Sequence, residues 1–101
     1  MSDRVRRGGV HRVQPVAREF LVISIDTLND SGTAIVVEVG DARAWSDYRN
    51  LLVVPFGGSD RCALAWRVNY MRADRLGRPI DTVDADTLAR VVAALTAAVE
   101  P

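Results

Sequence analysis

Arg18-Glu19-Phe20-Leu21-Val22-Ile23-Ser24-Ile25-Asp26 opens on a charged pair, runs through an apolar stretch and closes on an acid, after which come Thr27-Leu28-Asn29-Asp30-Ser31-Gly32. The apolar run is too short for a buried helix, is rich in β-branched residues and is bounded by turn-formers. It therefore reads as a core strand, buried on both faces, that leaves a functional end. Thr33-Ala34-Ile35-Val36-Val37-Glu38-Val39 repeats the signal after a turn of Asn, Asp, Ser and Gly. The two segments pair as a hairpin, expected at the centre of the sheet.

Working outward, Gly8-Gly9-Val10-His11-Arg12-Val13 is a first strand, stopped by Gln14-Pro15. Downstream, residues 40–50 have no clean period and read as an irregular excursion with room for a helical turn. Leu51 to Phe56 returns to strand, with Pro55 pointing to an edge or a bulge. After a Gly57-Gly58-Ser59-Asp60 turn, Cys62 to Met71 closes a second hairpin. A connector, Arg72 to Pro79, leads to a short strand at Ile80-Asp81-Thr82. The chain then enters a helix. Asp84 can accept from its free amides, Asp86 complements the dipole, and Leu88, Val91, Val92, Leu95 and Val99 recur at steps of 3 and 4 residues. This order predicts an α+β, mainly β, fold: a small, strongly curved antiparallel sheet or half-open barrel with a C-terminal α-helix.

At 101 residues the chain is expected to be one domain, 1–101, small enough that a partner subunit would add appreciably to its stability. Its 49% hydrophobic and 26% charged residues argue against disorder. No apolar stretch approaches the roughly 20 residues that a bilayer requires, and no h-region follows the basic start, so a cytoplasmic location is expected. One cysteine, Cys62, and one histidine, His11, do not make a disulfide or a Cys/His metal site within one chain. Neither metal nor cofactor is expected. All 13 cations are arginine, balanced by 13 acids. A G+C-rich genome accounts for that choice; the planar guanidinium also suits phosphate and guanine contacts.

Arg7-Gly8-Gly9-Val10, Arg18 opening the apolar strand, Asp26, and Thr33 to Val39 together resemble the amino half of the MazF/PemK toxins. Asp74-Arg75-Leu76-Gly77-Arg78-Pro79-Ile80, followed by 82–91, is similar to that family's closing segment and capped helix. The resemblance, to a short, divergent, actinobacterial-type member, implies a dimeric SH3-like barrel. It also implies a type II toxin that is a metal-independent endoribonuclease acting on single-stranded RNA or tRNA loops, and a cognate antitoxin. In the family an Arg at the position of Arg18 and a Thr or Ser at the position of Gly40 carry the chemistry, so the hydroxyl is missing here. The loop between the first strands is reduced to residues 14–17, the frequent Asp after the first Gly is Gly9, and the family's Glu-Gln falls on Trp66-Arg67. Asp41 to Tyr48 and Ala65-Trp66-Arg67 are also similar to CcdB, a gyrase-binding toxin of the same fold. This chain ends Val99-Glu100-Pro101 rather than in the Trp-Gly-Ile that CcdB uses. The alternatives to the nuclease are thus a CcdB-like non-enzymatic toxin and a degenerate homologue that keeps only antitoxin binding.

Metal-free RNA cleavage uses the 2′-hydroxyl as nucleophile, so the protein moves protons and stabilises charge on phosphorus. Arg18 suits the second task, unless Glu19 merely holds it as a surface ion pair. His11, with an ordinary pKa of about 6.5, is the ready proton carrier, or else an outward strand residue without a role. Ser46 and Ser24 are replacement hydroxyls, or turn and capping residues. Arg43, Arg49 and Arg67, near Trp45, Tyr48 and Trp66, interleave cations with aromatic faces as single-stranded RNA binding requires. The same residues suit a small dimer's core and interface.

Overall fold

The computed structural model describes residues 5–15, 17–48, 52–56 and 60–100. Six strands, β1 (Gly9–Val13), β2 (Arg18–Val22), β3 (Thr33–Asp41), β4 (Val53–Phe56), β5 (Arg61–Arg72) and β6 (Pro79–Thr82), pair antiparallel in the order β4-β5-β3-β2-β1-β6. The sheet curls into a half-barrel with one long helix, α2 (Ala85–Val99). β2 and β3 hold its middle, as their apolar runs imply, and Pro55 lies on the edge strand β4, where a missing N–H breaks no ladder.

Alternation along β2 and β3 feeds two cores. Leu21, Val37 and Val39 turn to the face covered by Leu88 and Val91 of α2, while Phe20, Val22 and Val36 turn to the other face and pack with Val13 and Leu76. Leu21 and Val91 are fully buried. Truncating Leu21 to Ala would cost about 2–5 kcal/mol, the lost transfer energy plus the cavity. Asp84 caps α2 by accepting from the Thr87 amide at 2.8 Å. Val99, counted with the apolar stripe, sits at the last residue of the helix and is exposed.

One expectation for the central stretch is corrected. The strand stops at Val22 rather than Ile25, and residues expected to form a turn make a one-turn helix, α1 (Asp26–Asp30). Buried hydrogen bonds cause this. The Ser24 hydroxyl donates to Asn29 Oδ1 and accepts from the Ile35 amide at 2.9 Å, and Asn29 Nδ2 donates back to the Ser24 carbonyl at 3.0 Å. Asp26, expected at the functional end, accepts from the Arg7 amide at 2.7 Å and reaches Arg6 at 3.8 Å. It braces the amino end and does not line the groove described below.

β5 carries the main irregularity. Leu64 faces Glu38 and Val68 faces Val37, so Ala65, Trp66 and Arg67 have no facing residue on β3. Such a bulge bends the strand and re-aims its side chains.

Candidate active site

A cavity of about 530 Å3 opens where β2 begins and β3 ends. It is lined by Ala17, Arg18 and Glu19, by residues 38–41 at the end of β3, and by Asp60 and Arg61 at the start of β5. Ala17 takes φ 56°, a left-handed conformation that costs a residue with a Cβ roughly 1–2 kcal/mol. The turn thus holds Arg18 in place at some expense.

Because neighbours on a strand point to opposite faces, Arg18 does not pair with Glu19. Arg18 Nη2 donates to Glu38 Oε1 at 2.8 Å, and Arg67 Nη1 reaches the same oxygen at 3.4 Å. The Arg18 guanidinium also lies 5.6 Å from the centre of the Phe20 ring. On the other face Glu19 accepts from Arg12 at 2.9 Å and Arg61 at 2.8 Å, and Arg61 reaches Asp81 at 3.7 Å. Burial pushes the Glu19 carboxyl up, but the hydrogen bonds from Arg61 and then Arg12 outweigh it and hold the group below the usual range. The groove is therefore threaded by two short chains of alternating charge.

Glu19 faces Val39 in the ladder, so Arg18 and Gly40 stand opposite one another, one step further on. A Cβ placed on Gly40 would lie 2.9 Å from Trp45 Nε1, closer than such contacts come, and a tight 3.2 Å from a Leu64 methyl. The Trp45 indole thus fills the space that a side chain at position 40 would take. Trp45 meets Trp66 edge to face, with ring centres 5.4 Å apart, and the Arg67 guanidinium lies 4.9 Å from the Trp45 ring centre and 5.8 Å from that of Trp66. The bulge is what brings Trp66 and Arg67 to this place.

Arg18, Trp45, Trp66 and Arg67, expected from the sequence, are thus gathered at one end of the sheet. Arg43 is exposed just after β3, its amide donating to Asp41 at 2.9 Å, and Ser46 is exposed in the 3-10 turn Ser46–Tyr48, outside the groove lining. Arg49 lies outside the described residues, as do Gly57, Gly58 and Ser59. His11 does not join the groove. The register sets it opposite Phe20 in the interior, fully buried, with Nδ1 donating to the Leu76 carbonyl at 3.0 Å and Nε2 without a partner among the described residues. Desolvation lowers its pKa, and its carbonyl hydrogen bonds only partly offset that. As placed, it is a neutral core side chain rather than a proton carrier in reach of Arg18. Ser24 is likewise spent inside the fold.

Sequence reasoning missed Glu38, Glu19 and Arg61 as groove residues. The signal for Glu38 was there: it is the one charged residue in the apolar run of β3, and period-2 alternation puts it on the same face as Gly40. Arg61 is placed by the register of β5, which the local pattern does not specify.

The curled sheet, the single long helix and the groove at the β2–β3 end define a small half-barrel of the MazF-like fold. Solved structures share it over nearly the whole chain. An endoribonuclease from a mycobacterial species aligns with a TM-score of 0.78 at 23% identity, covering 94% of this chain and 90% of its own. An endoribonuclease in complex with its cognate antitoxin, also mycobacterial, gives 0.75 at 20% identity over 96% and 94%. The MazE–MazF complex of Deinococcus radiodurans gives 0.75 at 20% identity over 93% of each chain. No family model and no curated protein matches the sequence.

Proposed function

We propose that the chain is the toxin of a type II toxin–antitoxin pair, an endoribonuclease that cuts single-stranded RNA or tRNA loops without a metal, acting in the cytoplasm as one domain within a homodimer. The observation that carries this reading is Arg18 at the mouth of the groove, opposite the end of β3, on a fold shared with named endoribonucleases. In such a reaction the 2′-oxygen attacks the adjacent phosphorus, and a guanidinium held in place stabilises the added negative charge. Arg43 and Arg67, with Arg49, supply phosphate contacts, and Trp45 or Trp66 supplies a face for a base. Among the described residues there is no group of three or more His, Cys, Asp or Glu arranged to hold a metal ion, and no helix long and apolar enough to cross a membrane.

The partners are read from β5 and from the groove. Trp66, Val68 and Tyr70 expose apolar area along β5, which supports burial against a second copy or a partner. Two of the similar structures hold their own antitoxins. Here an antitoxin segment would set acidic and apolar side chains over Arg18 and Arg67, and so compete with RNA.

Gly40, filled by Trp45, favours a second reading in which the chain is a binding protein: a gyrase-directed toxin or a homologue that keeps only the antitoxin interface. Sequencing RNA ends after induction, in wild type and Arg18→Ala, separates the two. New ends with 5′-hydroxyl groups that vanish in the variant support the nuclease. Growth arrest without new ends, and equal in the variant, installs the binder instead.

A further inference from the structure

We propose that Glu38 is the general base of the cleavage reaction, taking the proton from the 2′-hydroxyl in a site where the strand-end hydroxyl is absent. The inference rests on the endoribonuclease reading and adds a catalytic residue to it.

Glu38 lies in the groove, directly opposite Phe20 in the ladder, on the face that carries Arg18 and Gly40. Both guanidiniums contact Oε1, Arg18 at 2.8 Å and Arg67 at 3.4 Å, which leaves Oε2 to accept a proton. Arg67 lies against the Trp45 and Trp66 rings and reaches Oε1 as well, so it can keep the carboxylate oriented when Arg18 turns to a phosphate. A phosphate taken up by Arg18 would set the neighbouring ribose beside Glu38, where the 2′-hydroxyl has to come within about 2.6–3.2 Å of Oε2, or one water away, for its proton to be taken. The other candidates are worse placed. His11 is fully buried, Ser46 lies outside the groove lining, Asp41 is engaged by the Arg43 amide at 2.9 Å, Asp60 stands beyond the last β3–β5 pair, and Glu19, though it lines the groove, points to the other face of β2, where Arg12 and Arg61 hold it.

The step balances without a co-reactant other than water. Oε2 takes the 2′-hydroxyl proton as the 2′-oxygen bonds to phosphorus, and the P–O5′ bond breaks. The departing 5′-oxygen takes a proton from water, and the hydroxide so formed accepts the proton from Glu38. A 2′,3′-cyclic phosphate and a 5′-hydroxyl result, and the carboxylate is restored.

Single-turnover cleavage of a single-stranded RNA by Glu38→Gln tests this, beside affinity for the same strand carrying a 2′-deoxy residue at the cut. The amide keeps the shape and loses the base. The rate should fall by on the order of a hundredfold or more, while affinity for the deoxy strand stays equal or rises, because an acid has left the phosphate's neighbourhood. The acid limb of the wild-type pH profile should vanish in Glu38→Gln and persist, at a lower rate, in Glu38→Asp. A wild-type rate in Glu38→Gln, an unchanged acid limb, or a loss confined to Glu19→Gln overturns the assignment and leaves the nuclease reading standing. A wild type that cuts no RNA overturns both.

Discussion

The Glu38 carboxylate meets the Arg18 guanidinium at 2.8 Å across the β2–β3 ladder, on the face away from α2. Two residues 20 positions apart in the chain thus form an ion pair, in place of the Arg18–Glu19 pair that the local sequence offered as the alternative to a catalytic role. The pair is half open to water, with Arg18 55% and Glu38 18% exposed, so breaking it should cost no more than about 1 kcal/mol of stability.

Arg18→Ala should therefore fold normally yet lower the single-turnover rate of RNA cleavage about a hundredfold or more, as loss of a preorganised charge-stabilising donor does elsewhere. Arg18→Lys should rescue little, because a point charge does not span two phosphate oxygens. Wild-type cleavage should persist in excess chelator. Quenched-flow assays with urea melts of each variant check all three.

Restoring the hydroxyl by Gly40→Ser should fail. The new Cβ would meet Trp45 at 2.9 Å, and overpacking of that kind costs roughly 1–3 kcal/mol. Adding Trp45→Ala opens the space, so the double variant should be less destabilised than the sum of the singles. A double-mutant cycle in urea measures the coupling, and additivity would show that the indole has other room.

Neutralising Arg43, Arg49 and Arg67 to Gln should weaken binding alike across RNA sequences, and every arginine among them that neutralises a phosphate should, when replaced, reduce the salt slope by about 0.7. Trp45→Ala or Trp66→Ala should instead remove roughly 1–3 kcal/mol of stacking and depend on the base presented. An unchanged slope in the triple variant would assign these arginines to structure.

Acid should destabilise the fold earlier than carboxylates alone require. Burial lowers the pKa of His11, so above its ordinary value near 6.5 neither state is protonated and its contribution is complete. Below it the unfolded chain binds a proton that the folded chain refuses, and stability falls as pH drops toward the folded value. Glu19, also held low, adds a loss of the same sign at more acid pH. His11→Asn, whose amide can still donate to the Leu76 carbonyl, should flatten the decline between pH 7 and 5 in urea titrations.

The sheet was legible because its signals are local: β-branched runs, glycine and proline punctuation, and a capped, periodic helix. α1 was not, since it depends on Ser24 and Asn29 hydrogen-bonding each other inside the fold. Arg18 could be chosen from its place at a strand mouth together with the family resemblance, and the two tryptophans from their mixture with arginine. His11 could not be placed, because whether a strand residue faces water depends on register and on Leu76, 65 residues away. Arg61 and Glu19 meet across 42 residues, again beyond any local pattern.

The three residues at which β5 leaves register have a bearing on how such a protein changes over time. Leu64 and Val68 face Glu38 and Val37, while the residues between them take no part in the β3–β5 pairing. Ala65 and Trp66 can thus be exchanged, by drift or by an engineer, without changing a β3–β5 pair, whereas Arg67 is tied to the groove through Glu38. On the nuclease reading, preference among RNA targets would then be a trait that Trp66 carries, free to diversify between lineages, while Arg18, Glu38 and Arg67 stay bound to one another.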